Sequence, residues 1–186
     1  MSMPAWPDHL LTLDEWEQLP EYERFLVEVA EGELRVSPRP IAFHQRAVHN
    51  LVRSLNSQLP QTLNALGEVE LLLQERPLTV RIPDVLVLAT DVADMNPARV
   101  RAVDVHLVVE VLSEGSVRAD RVTKFSEYAD AGIARYWIVD LDRPASLAAF
   151  SLTADGYRSA GEFTGTAALD CAGNTVTIDL EALTTR

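Results

Sequence analysis

The apolar positions of the chain change their period in an orderly way, and each change marks an element. Thr12 precedes Leu13 to Leu19 with Glu15 three residues on, the spacing of a capping box, which predicts a short helix ending before Pro20. Phe25 to Val29 and Glu33 to Val36, separated by Ala-Glu-Gly, read as a hairpin, and Ser37-Pro-Arg-Pro40 ends it. From Ile41 to Leu59 the apolar residues Ala47, Val48, Leu51, Val52, Leu55 and Leu59 recur at three- and four-residue steps, so an amphipathic helix is expected, stopped by Pro60. Three strands are predicted next, over Gly67 to Leu73, Thr79 to Ala89 and Val103 to Leu112. The last two are nearly continuous runs of Val, Leu and Ile, as for strands covered on both faces. Asp120 to Ala131 reads as a second helix capped by Gly132, followed by a strand over Arg135 to Leu141. Short strands and turn residues such as Asp155-Gly156 alternate from Ser146 to Ile178, which predicts an antiparallel meander added to the sheet. The expected fold class is α/β or α+β: a central mixed β-sheet flanked by helices, with a C-terminal antiparallel β meander.

Composition narrows the setting. A chain of 186 residues with 47% apolar and 24% charged residues has the size and balance of one globular domain spanning residues 1–186. Cys171 is the one cysteine and has no intrachain partner for a disulfide. Met1 to Leu11 lacks the basic and apolar regions of a secretory signal, and no apolar run is long enough to span a bilayer, so a cytoplasmic protein without membrane association is expected. The formal net charge of −12 opposes long-range attraction to nucleic acid or anionic lipid.

Against that background two acids and one lysine stand out. Asp84 follows Pro83 at the head of Val-Leu-Val-Leu, and Glu110 interrupts Leu-Val-Val-Glu-Val-Leu, so each points from a sheet into desolvated surroundings. A buried carboxylate is costly without a cation or donors. If the two strands are neighbours the acids meet on one face, a set suited to a hard divalent cation, Mg2+ or Mn2+. Leu112 shares the face of Glu110 by alternation. Lys124 is the chain's single lysine among sixteen basic side chains. Asp120, Lys124 and Tyr128 form one polar stripe of the second helix, beside an apolar stripe of Val122, Phe125 and Ala129. A compact ammonium delivered from that helix suits the orientation of a water nucleophile or the stabilisation of phosphate charge, tasks for which a guanidinium fork is poorly shaped.

Each of these residues also has a structural reading. Asp84 as a turn cap after Pro83, Glu110 in an ion pair with Arg81 or Arg135, and Lys124 in a bridge to Asp120 on a solvated helix face all involve no chemistry. Glu28, beside Glu31 and Glu33, fits an exposed hairpin acid, His44 a capping or surface residue or a phosphate contact, and Tyr136 and Trp137 core or interface aromatics. Ser113 lacks a nearby His and Asp in triad order.

Taken together, Ile82-Pro-Asp-Val, Leu-Val-Val-Glu110-Val-Leu-Ser and Asp120-x-x-x-Lys124-x-x-x-Tyr128-x-x-x-Gly132-Ile-x-x-Tyr136-Trp-Ile-Val-Asp140 resemble the Uma2 family, also called DUF820. Glu28-x-x-x-Gly32-Glu-Leu and His44 extend the similarity, which covers most of Phe25 to Asp140. That family is described in terms of restriction endonucleases of the PD-(D/E)xK superfamily. The resemblance implies a restriction-endonuclease-like core in which Asp84 and Glu110 bind metal and the Val111 carbonyl is a further ligand. It also implies that Lys124 is the catalytic lysine, displaced onto the helix because Leu112 fills the superfamily's usual strand position, and that Glu28 is an N-terminal acid completing the site. The expected activity is Mg2+- or Mn2+-dependent hydrolysis of DNA phosphodiesters. Arg35, Arg39, His44, Arg46, Arg118 and Arg121 form the expected DNA-binding set, a local basic groove on an acidic protein, and a homodimer is expected because members of the superfamily often work as dimers so that both strands are cut. Two alternatives remain at this level: a catalytically inactive module binding DNA or protein, and a metal-dependent phosphodiesterase acting on a small nucleotide. No Gly-rich phosphate loop supports the latter.

Overall fold

The structure, a computed structural model, describes residues 7–20, 22, 25–112 and 122–185. The Thr12 capping box forms as its spacing predicts, and α1 (Leu13–Glu17) follows it. β1 (Phe25–Ala30) and β2 (Glu33–Pro38) pair antiparallel. Their turn requires Gly32, whose φ is +83°, and a Cβ there would lie 2.7 Å from that of Leu10. The long amphipathic helix is α2 (Ala42–Asn56), with Ile41 as its N-cap.

Between α2 and the second helix the strand prediction needs correction. Gly67 to Leu73 is divided between β3 (Leu63–Gly67) and β4 (Leu71–Glu75), because Glu68 turns the chain at a left-handed φ of 54°. Thr79 to Ala89 is divided between β5 (Leu78–Arg81) and β6 (Val85–Ala89), which belong to different sheets. The break has a physical cause: Pro83 has no N–H to give a ladder, and the Ile82 N–H goes to a Glu28 carboxylate oxygen at 2.9 Å. α3 (Thr90–Asp94) and β7 (Val100–Arg101) were not anticipated. A 3-10 turn over Ala102–Asp104 delays the third strand, β8 (Val105–Val111).

The second helix is described from its wide entry at residues 122–123 through α4 (Lys124–Asp130), and Gly132 ends it at φ +82° as expected. Asp120 lies outside the described residues. Val122, assigned to the apolar stripe, is instead 60% exposed. β9 (Arg135–Asp140) then runs parallel to β8.

The larger sheet orders as β11-β10-β9-β8-β6-β3, with β10 (Ser146–Thr153) and β11 (Gly156–Thr164) extending it. The expected meander is only half realised, since β12 (Thr166–Cys171) and β13 (Asn174–Asp179) leave the sheet as a separate hairpin. Alternation along β12 buries Ala167, Leu169 and Cys171 in the core under α2, and an Arg135–Asp170 ion pair ties the hairpin back. The smaller sheet orders as β2-β1-β5-β4-β7 and packs α1 against its own core of Leu11, Trp16, Val27, Val29, Leu72, Leu78 and Val80.

Alternation in the central strands sends side chains to two cores. Val85, Val87, Leu107, Val109, Val111, Trp137 and Val139 pack under α2, whereas Leu86, Leu88, Val108, Leu112, Tyr136 and Ile138 pack with Tyr128 of α4. Tyr136 and Trp137 are core aromatics, 0% and 1% exposed. Two-sided burial explains why β6 and β8 read as unbroken apolar runs, and why an acid inside one of them must find a partner. Among the described residues no helix is long and apolar enough to cross a membrane.

Candidate active site

β6 and β8 are antiparallel neighbours with Val85 opposite Val109, so Asp84 and Glu110 arrive at the same end of the sheet. Asp84 heads β6 because Pro83 closes β5 off from the ladder. Its Oδ2 accepts the Val111 N–H at 2.7 Å and lies 3.4 Å from His44 Nε2. Glu110 points to the α4 side of the sheet with Val108 and Leu112. Its Oε1 accepts the Lys124 ammonium at 2.9 Å and the Tyr128 hydroxyl at 2.6 Å. Lys124 and Tyr128, one turn apart, thus put two donors on one oxygen. Burial first, and the charge of Glu110 second, hold the Tyr128 phenol well above its ordinary pKa, so Tyr128 is a donor there.

Glu28 enters from β1. Its backbone faces Arg35 across the hairpin, but its side chain reaches inward to the Ile82 N–H, to Arg81 at 3.2 Å and to Lys124 Nζ at 3.6 Å. Being only 7% exposed, Glu28 is not the exposed hairpin acid that its place beside Glu31 and Glu33 suggests. Arg81 completes the connection: its Nε and Nη2 each donate to Glu127 of α4 at 2.7 Å, while Nη1 holds Glu28. Burial works against the Arg81 charge, but the hydrogen bonds it donates to Glu127 and the charge of Glu28 outweigh it, and the guanidinium stays protonated.

These contacts replace the simple pairings considered from sequence. Arg81 and Arg135 do not neutralise Glu110; Arg81 serves Glu28 and Glu127, and Arg135 serves Asp170. Lys124 is 7% exposed and aimed into the fold, not laid along a solvated helix face. Glu127 was missed, although its place three residues after Lys124 puts it on the same helix face, a signal available in the sequence.

His44 is also buried, at 5% exposure, so the surface reading does not hold. It sits in the first turn of α2 and its Nε2 donates to the Val111 carbonyl at 2.9 Å, leaving Nδ1 without a partner. Burial lowers its pKa, but the Asp84 carboxylate and the Val111 carbonyl raise it, with a net upward shift.

The arginines expected to hold DNA are scattered. Arg35 pairs with Glu33 in solvent, Arg39 donates to the Tyr22 carbonyl, and Arg46 reaches the Thr184 carbonyl near the C-terminus. None of these bonds joins the cluster. Arg118, Arg121 and Ser113 lie outside the described residues.

Among the described residues the cluster holds four carboxylates, Glu28, Asp84, Glu110 and Glu127, against two permanent cations, Arg81 and Lys124. No three His, Cys, Asp or Glu groups among these residues gather closely enough to hold a metal ion by themselves. A hard divalent cation does not need three, because one or two carboxylates supplemented by a carbonyl and waters are an ordinary Mg2+ set. Asp84, Glu110 and the Val111 carbonyl fit that description in donor type and charge.

The fold and cluster define an α+β protein with a buried acid and lysine centre where two antiparallel strands end. A family model described as Uma2, "Putative restriction endonuclease", matches residues 13–177, and the chain belongs to that family. A crystal structure described as a putative nuclease belonging to DUF820, from Anabaena variabilis, superposes with a TM-score of 0.72 at 19% identity, covering 93% of this chain and 97% of that one. At that identity the likeness establishes the shared fold. No curated protein matches the chain.

Proposed function

We propose that the chain is a divalent-metal-dependent endonuclease hydrolysing DNA phosphodiesters at the Asp84–Glu110 centre. The observation that carries this reading is the arrival of Asp84 and Glu110 at the same end of the β6–β8 pair, with the Val111 backbone between them and the Lys124 ammonium on Glu110. Two carboxylates and a backbone carbonyl at one sheet end are oxygen ligands of the kind a hard divalent cation takes. The family's description as a restriction endonuclease supports the same chemistry.

In this reading Asp84, Glu110 and the Val111 carbonyl hold Mg2+ or Mn2+. Bound there, the cation lowers the pKa of a water and neutralises charge on the scissile phosphate. The remaining work belongs to the chain. The Val111 N–H fixes the rotamer of Asp84, and His44 holds the Val111 carbonyl from α2. Lys124, between Glu110 and Glu28, orients the attacking water through its ammonium. The water oxygen adds to phosphorus, the P–O bond to the leaving sugar breaks, and the proton of the water is passed on as the leaving oxygen is protonated. Arg81 holds Glu28 turned inward, so that Lys124 has a second carboxylate to brace it.

A second reading has its own support. Lys124 and Tyr128 already satisfy Glu110 Oε1, as they would in a descendant that keeps the fold as a binding module. Calorimetric titration of Mn2+ into the wild type and Asp84→Asn separates the two. Binding that is lost in Asp84→Asn is expected of the nuclease; absence of binding to the wild type, with or without DNA, leaves the module.

A further inference from the structure

Asp84 differs from the other acids of the centre in the company it keeps. Arg81 holds Glu28 and Glu127, and Lys124 holds Glu110, whereas the partners of Asp84 among the described residues are the Val111 N–H and the His44 ring. Its side chain is only 13% exposed, so a carboxylate drawn almost out of water stands there without an arginine or lysine among the described residues. We propose that His44 is a ligand of the divalent cation, its Nε2 binding beside Asp84 Oδ2 and the Val111 carbonyl oxygen, and that this nitrogen turns the preference of the site from Mg2+ and Ca2+ toward Mn2+, Co2+ and Ni2+.

Spacing is the first support. His44 Nε2 lies 2.9 Å from the Val111 carbonyl oxygen and 3.4 Å from Asp84 Oδ2. Two atoms bound at right angles to one cation, each about 2.1 Å from it, stand about 3 Å apart. Both distances are thus those of neighbouring ligands, and two side chains with one carbonyl, completed by water, make an ordinary coordination set. Placement is the second support. The first turn of α2 seats the ring at 5% exposure, facing the two oxygens and turned away from solvent. The third is the state of the other ring nitrogen. Nδ1 has no hydrogen-bond partner among the described residues, so no donor keeps it in the acceptor form. The ring proton can therefore reside on Nδ1, which frees the Nε2 lone pair for a metal. With the proton on Nε2 the ring holds the Val111 carbonyl directly; with a cation in the place of that proton, the cation holds both. The metal preference follows from the ligand. Mg2+ and Ca2+ take oxygen ligands, whereas affinity for a site that includes imidazole rises from Mn2+ through Co2+ to Ni2+. The inference rests on the nuclease reading for the use of the cation, and adds to it a ligand and a selectivity.

Pulsed electron paramagnetic resonance of Mn2+ bound to the protein tests this directly, because a coordinated imidazole nitrogen modulates the electron spin echo. The wild type is expected to show 14N modulation, replaced by 15N modulation in protein grown on 15N-histidine, a comparison that needs no substitution. In His44→Gln the modulation is expected to vanish, with Co2+ affinity by calorimetry about tenfold weaker and Mg2+ affinity within about threefold of the wild type. Mn2+ held by the wild type without coupling to a histidine nitrogen overturns the proposal, and so does coupling that persists in His44→Gln. Failure of the nuclease reading looks different: histidine coupling is then present while no metal-dependent DNA cleavage is found. A wild type that binds no Mn2+ overturns both.

Discussion

At the scale of single residues, the centre is a balance of buried charges, and Lys124 and Arg81 are its described permanent cations. The Lys124 ammonium stands between Glu110 and Glu28, each less than a tenth exposed. Replacing Lys124 with methionine removes the ammonium from Glu110 and leaves Glu28 to Arg81, and breaking a buried pair in this way costs about 3–5 kcal/mol. Lys124→Met is therefore expected to lower the unfolding free energy of the metal-free protein by that order, read as a lower urea midpoint. Mn2+ is expected to recover part of the loss by supplying the missing charge, while DNA cleavage in Mn2+ falls at least about a hundredfold. An unchanged urea midpoint would place Lys124 outside the balance. His44 gives a pH signature. Its pKa in the fold is raised above the ordinary value, with burial opposing and Asp84 and Val111 prevailing. The sign follows from linkage: its contribution is complete below about pH 6.5, the unfolded value, and is lost as pH rises through the folded pKa. In chelator-treated protein the fall in stability across neutral pH is expected to be steeper for wild type than for His44→Gln. Parallel curves from urea unfolding would remove His44 from the linkage.

At the scale of elements, the site depends on how α4 is turned. Lys124, Glu127 and Tyr128 share one face of that helix, and Arg81 at the end of β5 grips Glu127 with two bonds while holding Glu28 of β1 with a third. One guanidinium therefore couples three elements and fixes the rotation that brings Lys124 to Glu110. A lysine at this position keeps the charge but loses the planar fork. Arg81→Lys is expected to leave the Mn2+ affinity at Asp84 and Glu110 within about threefold, and to lower kcat by about tenfold with little change in KM. Equal losses in Mn2+ affinity and kcat would show that Arg81 serves the fold generally and not the placing of Lys124. The helix itself is short, so its position comes from these bonds and from Tyr128 packing in the core more than from intrinsic helicity.

At the scale of the whole molecule, the order of elements was largely legible from local patterns. Periodicity identifies α2 because Ala47, Val48, Leu51 and Leu55 all turn to one core, and it identifies β6 and β8 because both of their faces are covered. The same patterns do not say which strands pair. Thr79 to Ala89 reads as one strand because burial in either of two sheets gives the same apolar run; Pro83 and the capture of the Ile82 N–H by Glu28 divide it. Likewise Ser146 to Ile178 reads as one meander, since an added strand and a hairpin packed under α2 both alternate.

The centre divides in the same way. Sequence by itself determined that Asp84, Glu110 and Lys124 are exceptional, because an acid inside an apolar run and a lone lysine in an arginine-rich chain are visible without coordinates. Only the tertiary structure decided that β6 and β8 are neighbours, that Glu28 and His44 turn inward, and that Arg81 and Glu127 close the network. The physical reason is that desolvation is encoded locally, in the residues flanking a charge, whereas its compensation comes from partners far along the chain whose approach depends on register and packing.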